Sequence, residues 1–179
     1  CDCSGNVLDA CGECGGEIIN AEDCPANYKL FFDGVDDYVN VGNPSSLSWS
    51  GALSISAWFK FDSSENIVAA IISKNNGSSR GYGIEKQNST NLSLGFWVGD
   101  GTDNLPVFSN YTEMFVGEWY HVVVVNDGVN SSIYINGVID SSYPQSYVST
   151  TEESDLKIGL HSTISNSSER YWHGDLDEI

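Results

Sequence analysis

Nine consecutive residues constrain the architecture more than anything else in the chain. From Leu53 to Phe61 the apolar side chains Leu53, Ile55, Ala57, Phe59 and Phe61 alternate strictly with Ser54, Ser56, Trp58 and Lys60. A period of two belongs to a β-strand with one face in a core; an amphipathic helix would need a period near 3.6. The same alternation recurs at Leu92, Leu94, Phe96 and Val98 against Ser93, Gly95 and Trp97. Ile67–Ser73 is a continuous apolar run, and Trp119–Val125 reads as another buried strand. Ile133 and Ile135 lead into Asn136-Gly137 with Val138 and Ile139 returning, a strong hairpin signal. Leu156–Leu160 and Tyr171–Ile179 complete the set, and no segment carries helical spacing. Turn residues punctuate these runs every ten residues or so, so the chain from Tyr28 onward reads as an all-β, antiparallel sandwich of jelly-roll type.

Residues 1–27 read differently. All five cysteines (Cys1, Cys3, Cys11, Cys14, Cys24) fall here, among acids and glycines with almost no apolar periodicity. Such a segment cannot bury a core and needs staples. One Cys-x-x-Cys pair in acidic, glycine-rich surroundings points to disulfides, with zinc thiolates as the lesser alternative. Disulfides imply a secreted protein, and the odd count implies a partner cysteine outside these residues. Asp2, Asn6, Asp9 and Glu13 carry oxygen ligands at a spacing near that of a calcium loop, with Glu13 placed to close it, although the glycine is not where such a loop wants it. An acidic disulfide spacer without metal is the plainer reading. Pro25-Ala26-Asn27 marks the boundary.

Charge narrows the partners. The chain carries 25 acidic and 7 basic residues, a formal net charge of −18. Nucleic acid and anionic membranes both need a positive surface and are excluded on that ground. No apolar run approaches the ~18 residues needed to span a bilayer. Beginning at Cys1 and stopping at Asp177-Glu178-Ile179 in strand-like sequence, the chain reads as a piece of a longer polypeptide with its last strand truncated. Six glycosylation sequons occur, at Asn76, Asn88, Asn91, Asn110, Asn130 and Asn166, in a chain rich enough in Asn and Ser for several to arise by chance.

Two family resemblances follow from ordered motifs. Phe32-Asp33-Gly34-Val35-Asp36-Asp37-Tyr38-Val39, Leu53–Lys60, Ile72-Ser73-Lys74, Gly117-Glu118-Trp119-Tyr120-His121-Val122, Ile133–Gly137 and Gly174–Ile179 resemble, in order and spacing, the laminin-G-like, concanavalin A-like jelly rolls over residues 28–179. Residues 1–27 resemble the Cys- and Asp-rich calcium-binding repeats of thrombospondin type 3 and, through Gly5-Asn6-Val7-Leu8-Asp9-Ala10-Cys11-Gly12-Glu13-Cys14-Gly15-Gly16, more closely the linker repeats of large secreted marine bacterial proteins. The first resemblance implies that the terminal motif lies beside the first strand, and that calcium is common on the rim or near the chain ends.

Leu30–Val41 reads as two short strands joined by a tight Asp33-Gly34 hairpin turn, crowding Asp33, Asp36 and Asp37 together. With Asp177 brought in from the terminal strand, with Asp175 and Glu178 beside it, these acids form a candidate calcium set; solvated turn acids bonding local amides are the alternative. Trp58, Trp97 and Tyr134 fall opposite the apolar faces of their strands, and on a shared sheet they would form an aromatic platform for sugars. The alternative is that further chain covers them as a second small core. His121 reads as structural. Asp175 and Asp177 have the parity of a glycoside hydrolase carboxylate pair but Glu178 falls on the other face, so hydrolysis ranks third. The sequence thus predicts a non-catalytic, extracellular binding or adhesion module recognising a glycan or protein, calcium-stabilised, with ligand recognition in loops 75–81, 99–105 and 142–154. A subunit of a self-associating extracellular filament is the second reading.

Overall fold

The computed structural model describes residues 17, 19, 29–48, 51–62, 68–74, 80–87, 93–100, 106–110, 114–145, 154–161 and 170–179. The five cysteines, the loop residues Asp2, Asn6, Asp9 and Glu13, and the sequons at Asn76, Asn88, Asn91 and Asn166 lie outside them, as does most of the three rim loops.

The described residues form fourteen strands: β1 (Leu30–Asp33), β2 (Val39–Gly42), β3 (Leu53–Phe61), β4 (Ala69–Lys74), β5 (Arg80–Lys86), β6 (Leu94–Asp100), β7 (Val107–Phe108), β8 (Trp119–Asn126), β9 (Asn130–Ile135), β10 (Val138–Pro144), β11 (Leu156–Ile158), β12 (Leu160–His161), β13 (Arg170–Tyr171) and β14 (His173–Asp177). They form two antiparallel six-stranded sheets, β1-β14-β3-β8-β9-β10 and β2-β11-β4-β5-β6-β7, with β12-β13 as a separate ribbon. One short 3-10 turn, Ser45–Leu47, is the helical content among the described residues. The alternation in β3 works as the sequence predicts: Ala57, Phe59 and Phe61 are buried while Trp58 is exposed. Between the sheets, Phe59 stacks on Tyr120 at 5.6 Å and meets Phe61 and the fully buried Trp172 edge-on. The Tyr120 hydroxyl accepts the Phe115 N–H, so that side of the Trp-Tyr-His-Val motif is structural. Asn136 and Gly137 both take positive φ (51° and 78°), the two-residue turn that matches strand twist between β9 and β10.

Three expectations need correction. Leu30–Val41 is not a hairpin: β1 pairs with β14 and β2 with β11, in opposite sheets. The acids explain why. Asp33 Oδ1 accepts the Val35 N–H and Asp37 Oδ2 accepts the Asp33 N–H, so side chains rather than a cross-strand ladder organise residues 33–38 into a corner between sheets. The terminal strand does lie beside the first, yet its register sets Asp33 opposite His173 and Leu30 opposite Leu176. Asp177 therefore falls at the far end of β1 from Asp33, and the composite calcium set of Asp33, Asp36, Asp37 and Asp177 does not assemble. Finally, Arg80–Gly81 belongs to β5, a strand in the middle of its sheet, and not to a rim loop.

Candidate functional site

The outward face of the β1-β14-β3-β8-β9-β10 sheet carries the candidate site. Strand parity turns Trp58 and Lys60 of β3, Trp119 and His121 of β8, and Asp175 and Asp177 of β14 to this side. Register aligns them in rows: Asp177 opposite Trp58 opposite His121, and Asp175 opposite Lys60 opposite Trp119. Trp58 and Trp119, 37% and 36% exposed, thus stand diagonally adjacent on neighbouring strands. His121 lies against Trp58 with ring centroids 5.0 Å apart and planes tilted by 31°.

An ion cluster underlies the second row. Asp175, 1% exposed, receives Lys29 Nζ at 2.6 Å and Lys60 Nζ at 2.5 Å, both on Oδ2. Burial raises the Asp175 pKa, but the hydrogen bonds and charges of the two ammonium groups outweigh it and hold the carboxyl below its ordinary value. Lys60 is raised above its ordinary value, first by its hydrogen bond to Asp175. Both ammonium groups also sit over the Trp119 ring, 5.8 and 5.9 Å from its centroid. Cation–π attraction and the buried carboxylate together position that indole.

A cleft flanks the indole pair on each side. One, of about 530 Å³, is bounded by Lys29, Trp58, Trp119, Asp177 and Glu178. The other, of about 520 Å³, is bounded by Trp58, Trp119, His121, Asn136 and Gly137. Glu178 lies past the end of β14 with φ at 47°, so strand parity no longer governs it and it faces the same cleft as Asp177.

The three aromatic residues picked from sequence do not share a platform. Trp58 is on it. Tyr134 shares the outward face but is half-buried between Val123 and Ile139 and bounds neither cleft. Trp97 is in the other sheet, 5% exposed, donating from Nε1 to Glu85 Oε1 at 2.8 Å. His161 of the β12-β13 ribbon reaches the same Glu85 oxygen at 2.7 Å, so added strand covers Trp97 as the second-core alternative anticipates. Trp119 is the platform residue that sequence reasoning missed. Its strand reads as uniformly apolar, but counting parity from inward-facing Tyr120 and Val122 puts Trp119 and His121 outside.

The Asp33, Asp36 and Asp37 carboxylates can bring oxygens within 4.8 Å of one another, all three residues exposed. Hard oxygens suit calcium, although three fall short of the ~6–8 that it takes, and two of these side chains also bond local amides. Of the sequons among the described residues, Asn110 is exposed, with its Nδ2 donating to the Asp140 carbonyl, and Asn130 is half-buried at the start of β9.

The family model for the concanavalin A-like lectin/glucanases superfamily, of laminin G type, matches residues 33–179. The chain belongs to that family. Among solved structures, this laminin-G-type domain is similar to the mouse laminin alpha1 chain domains LG4-5, at 15% identity and a TM-score of 0.63, over 83% of this chain and 39% of that one. It is also similar to the CBM40 of the Ruminococcus gnavus IT-sialidase bound to alpha2,3 sialyllactose, at 11% identity and a TM-score of 0.61, over 85% and 90%. The botulinum neurotoxin serotype D binding domain matches at 15% identity and a TM-score of 0.55, over 81% and 38%. The laminin-G-type domain thus spans less than half of the laminin and toxin chains. At these identities the likeness establishes the fold. Among curated proteins, none matches the sequence.

Proposed function

We propose that the chain is a non-catalytic, extracellular glycan-binding module of a larger secreted protein, with Trp58 and Trp119 as its stacking platform. The observation that carries this reading is the pair of adjacent, part-exposed indoles, ringed by polar side chains and flanked by two clefts. Indole faces stack on the apolar C–H faces of sugars, and each cleft falls within the ~300–1,000 Å³ range of ligand sites. The sialyllactose on a neighbour of the same fold supports it. A glycosidase needs one carboxyl kept protonated as general acid. Asp175, clamped by two lysines and lowered in pKa, does not suit that role.

A glycan array probed with the 179-residue chain tests the proposal. Binding is expected for wild type, and Trp58→Ala or Trp119→Ala is expected to lose roughly tenfold or more in affinity, as a central aromatic anchor does, with the fold retained by circular dichroism. Binding that survives the double substitution would refute the platform.

A filament subunit remains the second reading, favoured by one observation. β1 and β2 are edge strands of the two sheets, exposing Leu30 and Phe31 on one and Val39 and Val41 on the other, and such edges suit a second chain. Sedimentation that stays monomeric at high concentration would end it. Calcium at Asp33, Asp36 and Asp37 belongs to the proposal as a stabilising ion, not as part of the platform.

A further inference from the structure

Resting on that glycan-binding reading, we infer that the ligand is an internal stretch of a neutral, linear oligosaccharide, lying across the strands with Trp58 and Trp119 at its centre. Three observations converge on it.

The first is layout. The two clefts share the indole pair and open on opposite sides of it, so the aromatic rings form a ridge with space continuing in both directions. A terminal-sugar site ends in a wall; here neither side is the end of the other. The row Asp177–Trp58–His121 continues to Asn136, whose Oδ1 accepts the His121 N–H and whose own N–H donates to the His121 carbonyl. Three inter-strand steps of ~4.8 Å make this row roughly 14 Å long, more than one pyranose ring covers.

The second is polar chemistry. Asp177 and Glu178 stand on one side of the ridge and His121 and Asn136 on the other. Carboxylates, an imidazole and an amide are hydroxyl partners, and their placement at both ends gives a chain something to bond beyond the rings at its centre.

The third is charge. Lys29, the cation bordering the first cleft, is part-exposed and bonded to Asp175 at 2.6 Å, and Lys60 is bonded to Asp175 and lies 3.6 Å from Asp62. Among the described residues, the other charges lining that cleft are the two acids, on a chain of net charge −18. Among the described residues, a sialic or uronic carboxylate would enter beside Asp177 and Glu178 and find as its nearest cation Lys29, already bonded to Asp175, an unfavourable desolvation as well as a repulsion. Neutral sugars meet neither penalty. The site therefore parts from the neighbour that holds sialyllactose, despite the shared fold.

Isothermal titration of the 179-residue chain tests the inference. The probes are linear β-1,4-gluco-, β-1,3-gluco-, β-1,4-manno- and α-1,4-gluco-oligosaccharides of increasing length, any further neutral series bound on the array, and α2,3-sialyllactose. In at least one neutral series, affinity is expected to rise by about tenfold or more between the disaccharide and the tetrasaccharide, then level off. Asp177→Ala and Asn136→Gly are each expected to weaken the tetrasaccharide more than the disaccharide, since they act at opposite ends of the chain. Sialyllactose is expected to bind more weakly than a neutral trisaccharide. Equal affinity for mono- and tetrasaccharide, or tightest binding to sialyllactose, would overturn the inference while leaving the glycan-binding reading intact. Absence of binding both here and on the array would remove that reading, and this inference with it.

Discussion

Asp175 has two ammonium groups on one oxygen, while its Oδ1 finds no hydrogen bond among the described residues. Its position is therefore sensitive to charge. Its folded pKa lies below the ordinary 3.8, so its stabilisation is complete above the unfolded carboxylate range and lost as pH falls through the folded value. Lys60 is shifted above 10.5, so its share is complete below that value and lost as pH rises through the folded one. The cluster is intact between about pH 4 and pH 10. Asp175→Asn leaves Lys29 without its counter-charge and Lys60 with Asp62 alone, and is expected to lower the denaturation free energy by about 1–3 kcal/mol at neutral pH, with a smaller acid-induced loss than wild type. A denaturant midpoint unchanged from pH 7 to pH 3 in both proteins would contradict this. The parity that exposes Trp58 is legible from nine residues of sequence. Trp119 was hidden because the valines that follow it face both ways, and the ion cluster because Lys29, Lys60 and Asp175 come from three separate segments.

Elements show where local pattern and tertiary context diverge. Asp33-Gly34 has hairpin chemistry, yet the chain after it leaves for the other sheet, because Asp33 and Asp37 satisfy backbone amides that a ladder would otherwise hold. β5 is not legible in the sequence because Gly81, Gly83, Glu85 and Lys86 have loop composition. In the structure Gly83 lies under the Trp97 indole, where a Cβ would sit 2.7 Å from the ring, and Glu85 is tolerated inside because Trp97 and His161 bond it. Gly174 makes a comparable demand at β14. With φ at 140° its Cβ would run into the Lys60 carbonyl of the paired strand. Gly174→Ala is expected to destabilise by more than about 1 kcal/mol, read as a lower denaturant midpoint; an unchanged midpoint would mean β14 does not pack as described. The acid corner gives a separate test. Ten millimolar calcium is expected to raise the melting temperature by about 3–5 °C relative to chelator, given millimolar affinity. Asp36→Asn with Asp37→Asn should abolish the shift. A shift that survives belongs instead to Asp2, Asn6, Asp9 and Glu13, and no shift in wild type sinks both sites.

At the scale of the whole molecule, the all-β sandwich was readable because almost every strand either alternates or ends in a recognisable turn, and the closure of β14 onto β1 was implied by the resemblance to laminin-G-like jelly rolls. The site was readable only in part. A platform depends on which strands share a sheet, and that is set by crossovers no local pattern records: Trp58 and Trp97 have the same parity and lie on opposite sheets. The net charge of −18 constrained partners from the start and also bears on the ligand, since the cations near the cleft are already paired. The most direct test of the central claim is the indole N–H region of a ¹⁵N-correlated NMR spectrum during titration with the glycan that binds best on the array. The Nε1–H signals of Trp58 and Trp119 are expected to shift together and saturate with the binding isotherm, while those of buried Trp97 and Trp172 stay in place. Saturation with Trp58 and Trp119 unmoved would place the binding surface elsewhere on the domain and contradict the account.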